Sequence, residues 1–272
     1  MTNSIRQGKL IVIEGLDGTG KATQTKMLVD YLVNEKGMEY GKDVIYVDFP
    51  RYDRPSSDMV KHYLSGKFGA NPDAINAYTA SSFYSIDRAI SFNTEKWGEV
   101  YRNGGLVILD RYTTANVIYQ GAKMLNENML PGIIFENILK DFVKWLNTYE
   151  YAYNGIPCPT AVIFLMMNKK NNMDLLHSRE DTAVDGDIHE ASDTYQDRCR
   201  MTLEQYKHIV EHDHLIGGQS KNVFINTNDE DTGELMSREM IHEKVKFAVD
   251  QILAPENMDD RYDVMEPTHN IG

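Results

Sequence analysis

The sequence predicts an α/β fold in which helices flank a doubly wound, five-stranded parallel sheet. Five short apolar runs rich in β-branched residues lie at residues 10–13, 44–47, 106–109, 161–165 and 223–225. Each run is continuous rather than alternating, as expected of strands that are covered on both faces. Stretches with helical periodicity separate the runs, and strands that alternate with helices form parallel sheets with right-handed crossovers.

Helical stretches connect the predicted strands. Residues 23–34 follow the first run and its glycine-rich turn, and residues 133–146 precede the fourth run. Apolar side chains that recur every three to four residues place one face of such a helix against the sheet. In the second stretch the predicted buried face consists of Ile134, Ile138, Val143 and Trp145.

One domain accounts for most of the chain. No internal repeat and no low-complexity linker interrupts the sequence, so we expect a single domain over residues 1–254. Residues 179–193 are polar and dense in Asp and Glu, and we expect them to form a mobile lid. Residues 255–272 are acidic and are expected to form a loosely held tail.

The balance of charge restricts the binding partners. The chain has 41 acidic and 28 basic residues, which gives a formal net charge of −13. Binding to nucleic acid through a broad basic face is therefore excluded, because it needs clustered positive charge. An anionic ligand would have to be held inside a cleft by a few Lys, Arg and backbone N–H groups.

Cysteine usage and hydropathy indicate a cytoplasmic protein without membrane contacts. Cys158 and Cys199 match neither a metal-ligand spacing nor a disulfide framework, so they are interpreted as thiols of a reducing compartment. No apolar run reaches the roughly 18 residues that span a bilayer. Residues 1–8 also lack the apolar core of a secretory signal.

A phosphate-binding loop follows the first predicted strand. Residues 15–21 fit the pattern G-x-x-x-x-G-K between a strand and a helix, which is the context that this motif requires. Its glycines let backbone N–H groups turn inward around an anion, the helix N-terminus adds positive charge, and Lys21 neutralises the outer phosphates. The residues expected to bind the phosphates are Gly15, Leu16, Asp17, Gly18, Thr19, Gly20, Lys21, Ala22 and Thr23.

The magnesium ligands depart from the usual pattern of this motif. Ala22 stands where a Ser or Thr hydroxyl would bind Mg²⁺, and Thr23 would leave the helix in another direction. Magnesium must then be coordinated by phosphates, waters and another carboxylate, or the magnesium site is weakened. Asp110 ends a buried strand and is predicted to hold a magnesium-bound water, and Arg111 is predicted to reach a second phosphate.

Four segments resemble the thymidylate kinase family in order and spacing. They are residues 14–24 (EGLDGTGKATQ), 49–52 (FPRY), 84–88 (YSIDR) and 110–116 (DRYTTAN). The resemblance extends from about residue 9 to residue 206. It implies a P-loop kinase that uses ATP and Mg²⁺ to phosphorylate dTMP to dTDP, and it also implies a homodimer.

Several roles follow from the resemblance for the sugar and phosphate of the acceptor nucleotide. Asp17 matches the carboxylate that meets the sugar 3′-hydroxyl. Arg51 resembles an arginine that grips the acceptor phosphate, with Arg54 as a rival, and Phe49, two residues before Arg51, is also expected to bind the acceptor. Tyr119 resembles the aromatic residue that packs under the sugar, although structural packing is an alternative for this side chain.

Other roles concern the base of the acceptor. Arg88 resembles the arginine that donates to the thymine carbonyl, and Tyr84 the aromatic residue on which the base stacks. Their i, i+4 spacing puts both on one helix face. Phe83 is the alternative stacking residue, and Asn116 is expected to form a hydrogen bond with the base.

The resemblance to the family is weaker in the lid than in the other segments. Residues 187–190 resemble the end of the family's lid, with Glu190 at its acidic position and His189 expected to face solvent. Some family members carry a P-loop arginine where this chain has Gly18. Arg179 is the only arginine in the acidic stretch and is therefore predicted to supply charge to the transferred group.

The predicted catalytic set is Lys21, Asp17, Asp110, Arg111 and Arg179. Two alternatives remain open at the level of sequence. In the first, the chain is a kinase whose acceptor is another nucleotide or a nucleoside. In the second, the chain is a degenerate P-loop module that binds nucleotide without transferring phosphate. Ala22 and the thin lid favour the second alternative, whereas the acceptor-pocket residues favour a kinase.

Overall fold

The computed structural model describes residues 7–125, 132–177, 189, 192–213 and 220–254, and these form an α/β fold on a five-stranded parallel sheet. The predicted fold class is confirmed. The strands lie in the order β2-β3-β1-β4-β5. Their bounds are β1 Lys9–Glu14, β2 Val44–Asp48, β3 Leu106–Asp110, β4 Ala161–Met166 and β5 Lys221–Asn226. Each predicted run lies within one strand, and every strand extends beyond its run.

Helices connect the strands and cover both faces of the sheet. In the described part of the chain they are α1 Lys21–Asn34, α2 Asp58–Leu64, α3 Ala77–Thr94, α4 Lys96–Arg102, α5 Thr113–Gly121, α6 Ile133–Asn147, α7 Lys169–His177, α8 Asp193–His212 and α9 Arg238–Leu253. A π-helical turn, Thr148–Tyr153, follows α6 directly. One apolar cluster packs under α5, α6 and α8 and another under α1 and α9. These two covers explain why the strands are apolar on both faces.

The buried face of α6 differs from its prediction. Phe135, Leu139 and Phe142 are fully buried, whereas Ile134 is 71% exposed. Of the predicted face only Val143 is buried, and Ile138 and Trp145 are half-buried. The prediction took Ile134, Ile138 and Trp145 from one edge of the apolar stripe, whereas the residues at its centre face the sheet.

The order of the strands locates the ligand crevice. Strand β1 lies between β3 and β4, so the connections diverge at its carboxyl end, which is where open α/β sheets bind ligands. The parallel register sets Asp110 beside Ile13 on one side and Asp48 on the other. Acidic and phosphate-binding residues therefore meet at one edge of the sheet. No helix in the described part of the chain is long and apolar enough to cross a membrane.

Candidate active site

The loop between β1 and α1 has the backbone geometry of a phosphate nest. Gly15, Gly18 and Gly20 have φ angles of 149°, 83° and 85°, a region that residues with a Cβ rarely adopt. A Cβ at Gly15 would also lie 2.8 Å from the carbonyl oxygen of Leu165. Helix α1 begins at Lys21, so its free N–H groups point into the loop.

The P-loop lysine is held by the loop itself. Its Nζ donates to the carbonyl oxygens of Gly15 at 2.9 Å and of Leu16 at 2.7 Å, and it lies 3.8 Å from Asp17 Oδ1. The residue is only 5% exposed. The ammonium group is thus fixed at the mouth of the nest, where the outer phosphates of a nucleotide would meet it.

The side chains of Asp17 and Arg111, which the sequence analysis assigned to one catalytic site, are in contact. The Nη2 group of Arg111 donates to Asp17 Oδ1. Arg111 has φ 64°, the one positive φ of a non-glycine residue in the described part of the chain, and its backbone N–H donates to Ile13 O. Such backbone conformations cost roughly 1–3 kcal/mol and concentrate at functional sites. The turn directs the guanidinium toward the P-loop.

A buried carboxylate beneath the loop was not predicted. Glu14 is fully buried and accepts hydrogen bonds from the N–H of Gly15 at 3.0 Å and from Thr114 Oγ1 at 2.9 Å. Burial raises the pKa of Glu14 despite the nearby charges of Lys21 and Arg111. Glu14 therefore ties the start of the P-loop to the start of α5. Its position before the first glycine was the only signal for it in the sequence.

Asp110 fits a role in holding magnesium. Its Oδ1 is buried and has no hydrogen-bond partner among the described residues, so a hard oxygen ligand remains available beside Lys21. The described residues contain no cluster of three or more His, Cys, Asp or Glu that would hold a metal ion unaided. Ala22 is exposed and offers no ligand. Phosphate oxygens and waters would have to complete the coordination.

Asp110 gives a stability prediction that depends on pH. Burial, with smaller contributions from Glu14 and Asp48, raises its pKa from 3.8 to about 6. The folded state therefore binds this proton more tightly than the unfolded state does. The resulting stability is fully present below about pH 4 and is lost as the pH rises through about 6.

We therefore expect Asp110→Asn to stabilise the nucleotide-free protein at pH 8 by on the order of 2–3 kcal/mol. The difference should shrink below pH 6 and vanish near pH 4, as checked by urea unfolding across this range. Asp141→Asn, on an exposed side chain of α6, is the control. A variant less stable than the wild type at pH 8 would refute the assignment of a destabilising carboxylate.

Arg88 is locked in a buried ion pair. It is 2% exposed, and its Nε and Nη2 donate to the two carboxylate oxygens of Glu150, each at 2.7 Å. Its Nη1 donates to the carbonyl oxygen of Tyr112 at 3.3 Å. A guanidinium has five N–H bonds, so two remain available. Glu150 lies on the π-helical turn, 62 residues from Arg88, and was not predicted.

The same carboxylate fixes the orientation of Asn116. The Nδ2 group of Asn116 donates to Glu150 Oε1 at 3.2 Å and to Ser81 O at 3.3 Å. Both partners are only acceptors, so the amide nitrogen must face them. Oδ1 of Asn116 has no donor among the described residues. The pair Arg88 and Asn116 therefore presents N–H donors and one carbonyl acceptor.

Aromatic side chains surround this region. Phe83 packs its ring against Phe68 and Tyr63, and both Phe83 and Tyr84 are half-buried on α3. Tyr119 is buried, and the guanidinium carbon of Arg111 lies 5.9 Å from its ring centroid. Tyr84 and Tyr119 thus remain candidates for contact with the acceptor.

The prediction for His189 was wrong, because its side chain is buried rather than exposed to solvent. Its ring lies parallel to that of Tyr119, with an interplanar angle of 9°, and its Nε2 is 2.7 Å from the hydroxyl of Tyr63. Burial, assisted by the positive charges of Lys123 and Arg111, lowers the pKa of His189 to about 3. The imidazole ring of His189 is therefore neutral and packs beside the ring of Tyr119.

Arg51 and Phe49 are placed differently from the other predicted residues. The guanidinium of Arg51 donates to Glu95 at 2.9 Å and to Asp48 at 2.8 Å, beside an outer cavity of about 740 Å³. Arg54 lines the same cavity. Phe49 packs in the core against Trp97 and Tyr112. In this arrangement two carboxylates occupy Arg51, so its contact with an acceptor phosphate remains a prediction.

Most of the predicted lid lies outside the described residues. This applies to Arg179 and Glu190, and to the predicted tail at residues 255–272. Helix α8 begins at Asp193, with Ser192 as its N-cap. The site assembled by the described residues therefore consists of the P-loop, the end of β3, and the facing sides of α3 and α5.

Comparisons with known proteins show what this chain is similar to. A sequence profile described as "Thymidylate kinase" matches residues 13–213. The thymidylate kinase of Mycobacterium tuberculosis (strain CDC 1551 / Oshkosh) is 28% identical over 160 residues, 58% of this chain and 66% of that protein. That of Plasmodium falciparum (isolate 3D7) is 31% identical over 156 residues, 57% of this chain and 69% of that protein. The match to the first relative thus spans slightly less than two thirds of its length.

A solved structure shares the fold. A thymidylate kinase from Candida albicans, described as having broad substrate specificity and a novel structural element, superposes with a TM-score of 0.57. The superposition covers 90% of this chain and 92% of that chain at 19% sequence identity.

Proposed function

The chain belongs to the thymidylate kinase family, and we propose that it transfers the γ-phosphoryl group of ATP to the 5′-phosphate of dTMP. The P-loop supplies the donor site. Arg88, Asn116 and Tyr84 supply the base site, and Asp17 lies where the P-loop meets Arg111. Family membership and this arrangement support the same reaction.

The orientation of the Asn116 amide is the observation that carries the choice of base. Arg88 offers N–H donors and Asn116 offers a carbonyl acceptor. Thymine presents a carbonyl acceptor at O4 and a donor at N3–H, so the two patterns are complementary. Cytosine presents an amino donor and an unprotonated ring nitrogen at these positions. The site therefore favours thymine or uracil over cytosine.

The proposed transfer needs alignment and charge rather than covalent chemistry from the protein. The bond from the γ-phosphorus to the β,γ-bridging oxygen breaks, and that oxygen leaves on ADP with the electron pair. An acceptor phosphate oxygen forms the new bond to phosphorus. Lys21 and Arg111 offset the negative charge of the phosphates, and Asp17 orients the sugar of the acceptor.

Magnesium is the expected cofactor. When bound, it would neutralise the donor phosphates and fix their geometry. Asp110 would hold it, directly or through water, because Oδ1 of this residue is buried and otherwise unpartnered among the described residues. Ala22 contributes no ligand, so we propose that phosphate oxygens and waters carry most of the coordination.

We also propose a cytoplasmic homodimer. Helix α3 exposes Tyr78, Ile86 and Ile90, each between 44% and 46% exposed, on the helix that carries Arg88. Exposed apolar side chains along one helix are typical of surfaces that bind another protein chain. Light scattering at micromolar concentration should give the mass of two chains, and a monomer mass would contradict the proposal.

The reaction class is tested by acceptor dependence. We expect ADP to accumulate with ATP and Mg²⁺ only when a pyrimidine nucleoside monophosphate is present, as measured by coupled ADP detection. Nucleosides serve as the matched control, because they offer the same base without the phosphate. ADP formation without acceptor would indicate a nucleotide-hydrolysing module, and faster turnover of nucleosides would indicate a nucleoside kinase.

A further inference from the structure

Arg200 on α8 is an arginine without a counter-ion. Among the described residues every other arginine except Arg102 lies within 4.0 Å of a carboxylate. Arg102 is accounted for by the ring of Phe92, whose centroid lies 5.0 Å from its guanidinium carbon. Arg200 makes one side-chain hydrogen bond, from Nη2 to Asn172 Oδ1 at 3.0 Å.

The rest of this guanidinium is buried without a partner in the described part of the chain. Nε and Nη1 of Arg200 are shielded from solvent and donate to no group among the described residues. Buried N–H groups are almost always hydrogen-bonded, because each unpaired one costs the loss of its hydration. Burial also lowers the pKa of Arg200, and Asp197 and Glu204 offset this only in part. These unpaired N–H groups and the charge of the guanidinium suit an anion that the described residues do not supply.

Asn172 connects this guanidinium to the P-loop. Its Nδ2 donates to the carbonyl oxygen of Asp17, while its Oδ1 accepts from Arg200. Helix α7 also packs directly on the loop, since a Cβ at Gly18 would lie 3.0 Å from Asn172 Nδ2 and 3.0 Å from Leu176 Cγ. The side chain of Asn172 thus links the guanidinium of Arg200 to the P-loop near Gly18, a residue that carries no charge.

We propose that Arg200 donates hydrogen bonds to the oxygens of the transferred γ-phosphoryl group, and that Asn172 holds its guanidinium for this purpose. The assignment rests on the proposed function, because it presupposes phosphoryl transfer at the P-loop. As the bond to the bridging oxygen breaks and the bond to the acceptor oxygen forms, negative charge redistributes over the γ-phosphoryl oxygens. A fixed, positively charged N–H donor stabilises that distribution more than it stabilises bound ATP.

This role differs from the one predicted for Arg179. Arg179 would have to be carried to the phosphates on the acidic segment, whose residues lie largely outside the described part of the chain. Arg200 lies on a helix whose Tyr195, Cys199 and Leu203 are buried in the core. A donor on a packed helix is already positioned before the reaction. Electrostatic catalysis is most effective with such preorganised donors, because they do not have to reorganise during the reaction.

Two substitutions at position 200 test the proposal. We expect Arg200→Gln to lower kcat with ATP and dTMP by about 10²–10³-fold, the usual loss for one such donor group. The Michaelis constants of both substrates should stay near wild type, because the contact strengthens in the transition state. Arg200→Lys keeps the charge but loses the planar fork, so we expect it to restore only part of the rate.

Arg198→Lys is the matched control on the same helix. Arg198 pairs with Asp73 at 2.7 Å, whereas the hydrogen bond to Asn172 comes from Arg200, so kcat should be unchanged. ADP affinity and thermal unfolding are measured for each variant. If Arg200→Gln weakens ADP binding or stability as much as it lowers kcat, Arg200 only supports the loop and the proposal is wrong. Wild-type turnover in the variant also overturns it, whereas a wild-type enzyme inactive on every monophosphate overturns the proposed function instead.

Discussion

Replacing Glu150 with glutamine is expected to lower the free energy of unfolding by about 3–5 kcal/mol, because it leaves the charge of Arg88 buried without a counter-ion. The two side chains are 0% and 2% exposed and share two hydrogen bonds of 2.7 Å. The glutamine amide would also turn an N–H₂ group toward the guanidinium or toward Asn116, both of which are donors there.

The paired replacement Glu150→Leu with Arg88→Met separates stability from base recognition. Apolar residues of similar volume often replace a buried ion pair at little cost, so we expect this double variant to recover most of the lost stability. It cannot recover the choice of base, because the guanidinium donor is gone and Asn116 has lost one of the two acceptors that fix its amide. Urea unfolding of the two single variants and the double variant gives the coupling between the residues.

An exposed ion pair is the control for this experiment. Lys96 and Glu99 are 2.8 Å apart on α4 with more than half of each side chain exposed, and Glu99→Gln should leave stability almost unchanged. If Glu150→Gln is as stable as the wild type, the pair does not lock Arg88. Recovery of dTMP-selective turnover by the apolar double variant would show that Arg88 does not read the base.

The fold followed from local features of the sequence. Each strand was visible because a doubly covered strand needs a continuous apolar run, and the P-loop because its glycines are required by the φ angles of the turn. The face of α6 was misplaced because the predicted set was taken largely from one edge of its apolar stripe. The centre of the stripe, with Phe135, Leu139 and Phe142 at helical spacing, packs against α5 and α8.

The predicted site divides into residues that act locally and residues whose partners are distant. Lys21, Asp17 and Asp110 come together because parallel strands end at one edge of the sheet. The partners of Arg88 and Asn172 were not predictable, because Glu150 and Arg200 lie 62 and 28 residues away along the chain. His189 was assigned to solvent from its polar neighbours, but a tertiary contact with Tyr119 buries it. Pairings of this kind depend on packing that no local pattern records.

We propose that two hydrogen-bonding groups, on Arg88 and Asn116, determine the choice of base. With cytosine, an amino group would face the N–H donors of Arg88, and an unprotonated nitrogen would face the carbonyl of Asn116. A site built to hydrogen-bond its substrate rejects such an analogue by about 10⁴-fold, because buried polar groups are left unpaired. The methyl group of thymine contributes only about 1 kcal/mol, so dUMP should be a poorer but real substrate.

The most direct measurement is the ratio of kcat/KM for dTMP and dCMP with the wild-type protein, ATP and Mg²⁺, with dUMP as the control that changes only the methyl group. We expect dTMP to exceed dCMP by about 10⁴-fold and dUMP by about fivefold. Equal kcat/KM for dTMP and dCMP would contradict the central claim that Arg88 and Asn116, held by Glu150, read the base.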